Sequence, residues 1–122
     1  MVARDMAAAS SYVPQRGDVV WITLNPQAGH EQEGRRPALV ISPHAYNDKV
    51  GLAILCPIMS RVKGYPFEVE IPDVLPISGV ILSDQVKIMD WRARNAEQIC
   101  SLSPAVIVEV LGKLRTLLQI TG

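Results

Sequence analysis

The sequence predicts a mainly β domain, a compact antiparallel sheet or small barrel, closed by one C-terminal helix. Three observations carry this. Short β-branched and aromatic runs recur from Gly17 to about Cys100, each bounded by Gly or Pro turn chemistry. Phe67-Glu68-Val69-Glu70-Ile71 alternates apolar and charged residues, the period of a strand with one wet face. After Ser103-Pro104 the apolar period changes to that of a helix.

A chain of 122 residues forms one domain, because a core of this size does not divide. Residues 1–11, MVARDMAAASS, lack any apolar period and read as a flexible N-terminal arm before a single domain over 12–122. The arm has no apolar stretch of the kind a secretory signal needs, and the expected location is the cytoplasm. Twelve basic and twelve acidic residues balance, which argues against a bulk polyanion binder and leaves local patches open. Cys56 and Cys100 are too few for a disulfide scaffold and lack zinc or redox spacing, so they read as reduced thiols.

The elements follow in order. Val19 to Leu24 is a strand between Gly17-Asp18 and Asn25-Pro26. Ala38 to Ile41 is a second, closed by Ser42-Pro43. Leu52 to Ile58 is a third; Pro57 has no N–H for a ladder, so that end belongs at an edge or exit. Phe67 to Ile71, Val80 to Leu82, Val86 to Met89 and Ala96 to Cys100 complete the set. Ser103 is an N-cap with Pro104 at the first helical position. Ile107, Val110, Leu111, Leu114, Leu117 and Leu118 then form one stripe expected to cover the sheet. Glu109 and Lys113 pair at i,i+4.

The chemistry concentrates in Gly29-His30-Glu31-Gln32-Glu33-Gly34-Arg35-Arg36-Pro37, a polar connection between two strands. As a plain solvated loop it needs no further explanation. As a site, Glu31 is placed to take a proton and Arg36 to hold a phosphate through two N–H groups. Cleavage of RNA through its own 2′-hydroxyl needs such a base and such a cation, and no metal. Arg61 with Lys63-Gly64-Tyr65-Pro66, and Trp91-Arg92-Ala93-Arg94, offer cations and aromatics on separate turns, as a single-strand RNA groove requires. His30 and His44 read as loop histidines rather than ligands. No HExxH, P-loop or GxGxxG is present.

The stretches GDVVWITLNPQAGHEQEGRRPALVISP (17–43), KGYPFEV (63–69) and DQVKIMDWRAR (84–94) resemble the MazF/PemK family of toxin endoribonucleases. The resemblance runs from about Tyr12 to the C-terminal helix. It implies a small, strongly curved, SH3-like antiparallel sheet with a C-terminal helix, assembled as a homodimer. It implies metal-independent cutting of single-stranded mRNA to a 2′,3′-cyclic phosphate and a 5′-hydroxyl, without cofactor. It implies a cognate MazE-like antitoxin threading an acidic segment over the RNA groove. By position, the catalytic glutamate falls on Glu31 and the catalytic arginine on Arg36. The RNA-contacting set then comprises Gln32, Arg35, Arg61, Lys63, Gln85, Lys87, Arg92 and Arg94.

One position departs from the family pattern. Where the family carries a threonine hydroxyl near the scissile phosphate, this chain has Met59, followed by Ser60. In extended backbone Ser60 faces away from Met59 unless a bulge turns it back. Either activity is reduced or Ser60, counted here among the catalytic residues, substitutes together with Arg61. A protein that binds RNA and antitoxin without cutting is the alternative. A CcdB-type gyrase poison is the more distant one: it resembles this architecture but ends in Trp-Gly-Ile, and this chain ends Gln119-Ile120-Thr121-Gly122.

Overall fold

A computed structural model describes residues 11–24, 34–61, 63–73 and 75–120. The elements are β1 (Asp18–Thr23), β2 (Arg35–Val40), α1 (His44–Val50), β3 (Ala53–Met59), β4 (Glu68–Glu70), β5 (Val80–Leu82), β6 (Lys87–Met89), β7 (Glu97–Ser101) and α2 (Pro104–Leu118). They build one antiparallel sheet in the order β4-β5-β3-β2-β1-β7, with β6 also on β3. The sheet is open, with β4 and β7 at its two ends. The expected β sheet and C-terminal helix are both present.

The central strands bury both faces, which is why they read as unbroken apolar runs rather than alternating ones. On one face Val19, Leu39, Cys56, Ile58 and Ile81 pack with Ile107 and Val110 of α2. On the other, Val20, Ile22, Ala38, Val40 and Leu55 pack with Met89 and Trp91. β1 pairs β2 from Val19↔Leu39 to Thr23↔Arg35, so β2 starts three residues earlier than its apolar run.

Three expectations are corrected. The first concerns α1, a helix where only strands and turns are expected. Pro43 caps it with extended φ/ψ, and Gly51, at φ 80°, ends it with its N–H on the Asn47 carbonyl. Proline at the start and glycine at the stop were the available signal. The second is Pro57, which is buried inside the central strand β3, not at an edge. β6 pairs with β3 through Leu55 and β5 begins at Ile58, so no ladder partner faces Pro57 on that side. The third is the α2 stripe, which covers the sheet only through Leu114. Leu117 and Leu118 are 51% and 71% exposed. The helix meets the sheet at β4, its outermost strand, where Lys113 Nζ donates to the Pro66 and Glu68 carbonyls at 2.6 and 3.1 Å.

The N-terminal arm falls almost wholly outside the described residues. The chain just after it is held firmly: the Asn47 Nδ2 donates to the Pro14 carbonyl at 2.8 Å, and Tyr12 donates its hydroxyl to Asp18 Oδ2 at 2.7 Å. Among the described residues, no helix is long and apolar enough to cross a membrane.

Candidate active site

The connection between β1 and β2 carries Glu31 and Gln32, which lie outside the described residues. Its two ends are well defined. The Leu24 N–H donates to the Gly34 carbonyl at 2.9 Å, so the strands stay together up to residues 24 and 34. Two arginines reinforce this closure. Arg94 donates from Nη1 to the Thr23 and Leu24 carbonyls at 2.9 and 3.1 Å. Arg35 donates from Nη2 to Asn95 O and Glu97 Oε1, both at 2.8 Å. It also donates from Nη1 to Thr23 Oγ1 and Arg94 O, both at 3.3 Å. Arg35, through both Nη1 and Nη2, and Arg94, through Nη1, both expected on RNA, therefore hold the stem of the connection.

Arg36 points the other way. It is exposed, and among the described residues its guanidinium donates from Nη1 to the neighbouring Arg35 carbonyl at 3.0 Å. β2 and β3 pair as Val40↔Leu55, Leu39↔Cys56 and Ala38↔Pro57. Continued by two residues, that register sets Arg36 opposite Met59. Residues directly opposite in an antiparallel pair share a face. Arg36 and Met59 thus extend the row of Ala38 and Leu55, and both are exposed where that buried row ends.

β3 stops at Met59, so Ser60 does not have to follow the strand's alternation. Met59 and Ser60 line the same cavity, of about 380 Å3, with Arg61, Lys63, Tyr65, Glu68, Leu82 and Gln85. Four expected residues, Ser60, Arg61, Lys63 and Gln85, are thereby brought together without a bulge. Gly79 makes this close packing possible: at φ 120°, a Cβ there would sit 2.1 Å from the Met59 carbonyl oxygen.

Tyr65, expected as the aromatic of this turn, lines the cavity as well, and Glu68 was not among the expected site residues. The Glu68 carboxylate accepts from the Lys63 and Gly64 N–H groups at 3.1 and 3.0 Å, and the Glu68 N–H donates to the Tyr65 carbonyl at 3.1 Å. The signal in the sequence was a glycine four residues before a glutamate, with Gly64 at φ 86° closing the turn.

The remaining expected contacts lie elsewhere. Arg92 stacks 4.8 Å over the Trp91 ring, which is itself buried with its indole N–H on the Asn47 carbonyl at 3.0 Å. Arg92 lines a separate depression with Val50, Gly51, Leu52, Asp90 and Ala93. Lys87 is exposed on β6, opposite Leu55. Burial, and then the charge of Asp84, push the Cys56 thiol up to about 12, so it is no thiolate nucleophile. Among the described residues no three His, Cys, Asp or Glu side chains converge as a metal-ligand set would.

The cavity therefore gathers a hydroxyl, a guanidinium, an ammonium and a primary amide beside an apolar wall, with the Glu68 carboxylate turned to the Lys63 and Gly64 N–H groups. Such a set suits an anion with an attached planar or apolar group. Comparison with known proteins agrees in kind. Residues 15–118 match the family model described as PemK-like, MazF-like toxin of type II toxin-antitoxin system. The chain is 41% identical over 109 residues to the endoribonuclease toxin MazF of Escherichia coli, covering 89% of this chain and 97% of that protein. The crystal structure of MazF from Deinococcus radiodurans superposes with a TM-score of 0.80 at 56% identity, covering 88% of this chain and 97% of that one. A MazE-MazF crystal structure from the same organism gives 0.79 at 50% identity, over 88% of this chain and 96% of that one.

Proposed function

The chain belongs to the family of PemK-like, MazF-like toxins of type II toxin-antitoxin systems, and from that premise we propose that it is a toxin endoribonuclease that cuts single-stranded mRNA in the cytoplasm. It acts as a homodimer and is neutralised by a MazE-like antitoxin, in line with the MazE-MazF complexes solved for its relatives. Growth inhibition follows from loss of translatable message.

In this reading Glu31 takes the proton of the substrate 2′-hydroxyl. The 2′-oxygen forms a bond to phosphorus while the bond from phosphorus to the 5′-oxygen breaks. The leaving oxygen takes a proton from solvent water, and the products carry a 2′,3′-cyclic phosphate and a 5′-hydroxyl. Arg36 stabilises the charge that builds on the phosphoryl oxygens, and Ser60 donates its hydroxyl to one of them. Arg61, Lys63 and Gln85 bind the strand beside the cut; Gln32, Lys87 and Arg92 contact it further along. Arg35 and Arg94 serve mainly by holding both ends of the connection that carries Glu31.

The observation that supports this best is the position of Arg36. Its guanidinium is exposed at the mouth of the β2–β3 pair, while its neighbour Arg35 is tied into the fold. The test is expression of the chain alone and with an antitoxin, together with incubation of purified protein with mixed-sequence RNA in EDTA. Growth arrest reversed by the antitoxin, and discrete cuts ending in cyclic phosphate, are expected. A folded protein that neither arrests growth nor cuts any RNA would leave the non-catalytic binder as the better reading.

A further inference from the structure

β4 ends the sheet, and what meets its outer side is a lysine of α2 rather than a strand. The Ser83 N–H donates to the Phe67 carbonyl and the Ile71 N–H to the Gly79 carbonyl, at 3.1 and 3.0 Å. Residues 67 and 71 thus bond toward β5, and by strand alternation the Glu68 carbonyl points away from it. Lys113 Nζ donates to that carbonyl at 3.1 Å and to the Pro66 carbonyl at 2.6 Å. The ammonium stands there because Ile107 and Val110 pack into the core and fix the helix. Its ion-pair partner Glu109 is farther, at 3.8 Å, and 54% exposed. Glu68 passes this anchorage on: its carboxylate accepts the Lys63 and Gly64 N–H groups at 3.1 and 3.0 Å. Lys63 is exposed, so the place of its cation depends on the backbone that carries it.

We propose that Lys113 is a positioning residue for cleavage: it ties the turn that carries Lys63 to α2 and so sets where that cation stands against the RNA phosphates. The inference rests on the ribonuclease reading and deepens it by adding a residue that acts without touching the strand. Without Lys113 the outer side of β4 has two carbonyls served only by water, and the turn loses its hold on the helix. Strand binding then weakens. Arg36, on β2, keeps its place, so the rate of the bound complex is preserved.

The test is single-turnover cleavage of one RNA over a range of protein concentrations. Lys113→Met should raise the half-saturating concentration about fivefold and change the limiting rate by less than about twofold. Lys113→Arg, which still brings N–H donors to the carbonyls, should restore the parental value. Glu109→Gln, which keeps both carbonyl bonds, should match the parent. In a Lys63→Ala background, Lys113→Met should add less than about twofold. Hydrogen exchange at the Lys63, Gly64 and Glu68 N–H groups should quicken in Lys113→Met, while the Leu39 and Cys56 N–H groups of the central pair keep their rates. Parental exchange at the three turn positions would overturn the proposal. So would full multiplication of the Lys63→Ala and Lys113→Met losses, the mark of a lysine that meets the strand by itself. Selected 2′-deoxyribose strands, which cannot be cleaved by 2′-hydroxyl attack, give the same comparison on affinity alone. Cleavage by the parent without coupling between Lys63 and Lys113 removes the tether and keeps the ribonuclease; coupling in affinity by a parent that never cuts RNA does the reverse.

Discussion

Arg35 spans β1 to reach Glu97: the Nη2 of a β2 residue meets the Oε1 of a β7 residue at 2.8 Å, with the pairings Thr23↔Arg35 and Trp21↔Glu97 on either side of the bridged strand. The two ends of this ion pair are not equal in weight. Glu97 is 73% exposed at its side chain, whereas Arg35 is 18% exposed and also serves three carbonyls and the Thr23 hydroxyl. Glu97→Ala should cost below about 1 kcal/mol. Arg35→Ala should cost about 1–3 kcal/mol, because several part-buried acceptors lose their donor together. Urea unfolding of both variants checks the order.

Ser60 shares its cavity with Met59 because the strand ends between them. Ser60→Ala should therefore lower the cleavage rate by about 100-fold or more, the scale of one lost transition-state donor. Met59→Thr should leave the rate within about tenfold of the parent if Ser60 already supplies that donor. A Met59→Thr variant far more active than this would mean that Ser60 does not substitute. Single-turnover rates on one mapped RNA decide it.

Gly79 is the backbone support of the same place. Its φ of 120° and the 2.1 Å that would separate a Cβ from the Met59 carbonyl leave no room for a side chain. Gly79→Ala should destabilise by about 2–4 kcal/mol, combining backbone strain and overpacking. Displacing the end of β3 should also lower cleavage by folded Gly79→Ala protein. Gly64→Ala is the control: it too has positive φ, but nothing stands within 4 Å of its added Cβ. Its cost should be the smaller of the two in the same thermal or urea series.

Burial, followed by the hydrogen bond and charge of Asp18, raises the Tyr12 phenol above its ordinary value. The folded protein therefore keeps this proton where the unfolded chain begins to lose it. The associated stability is complete below about pH 10 and declines as pH rises beyond it. Tyr12→Phe should be less stable at pH 7, by about 1 kcal/mol or somewhat more for a hydrogen bond to a carboxylate. Its stability should then fall less than the parent's between neutral and strongly alkaline pH. Unfolding midpoints across that range test the sign.

The legible parts of the fold were those in which one local signal was undisputed. Val80 to Leu82 emerged with unchanged bounds, and Ser103-Pro104 marked the start of α2 at Pro104. Local rules failed where tertiary context set the answer. α1 is only seven residues long and has one buried residue, Asn47, so no apolar stripe announced it. Pro57 reads as an edge signal, yet a change of partner strand accommodates it in the sheet centre. Leu117 and Leu118 keep the helical period of the core stripe although they are exposed. At the site, sequence identified the residue types, but not that Arg35 and Arg36, adjacent in the chain, face different tasks. Strand alternation separates them, and the start of β2 lay outside its apolar run. Glu68 escaped because its part in the site comes from the cavity and from the backbone N–H groups of Lys63 and Gly64.

The role of Arg36 in cleavage is measured by single-turnover cutting of one mapped single-stranded RNA, in EDTA, by the parent chain and by Arg36→Ala. Arg36 is exposed, so the substitution should change stability by no more than about 0.5 kcal/mol. Cleavage should fall by about 100- to 1,000-fold, with the remaining products still ending in cyclic phosphate. A folded Arg36→Ala protein that cuts the same bond at the parental rate would contradict it.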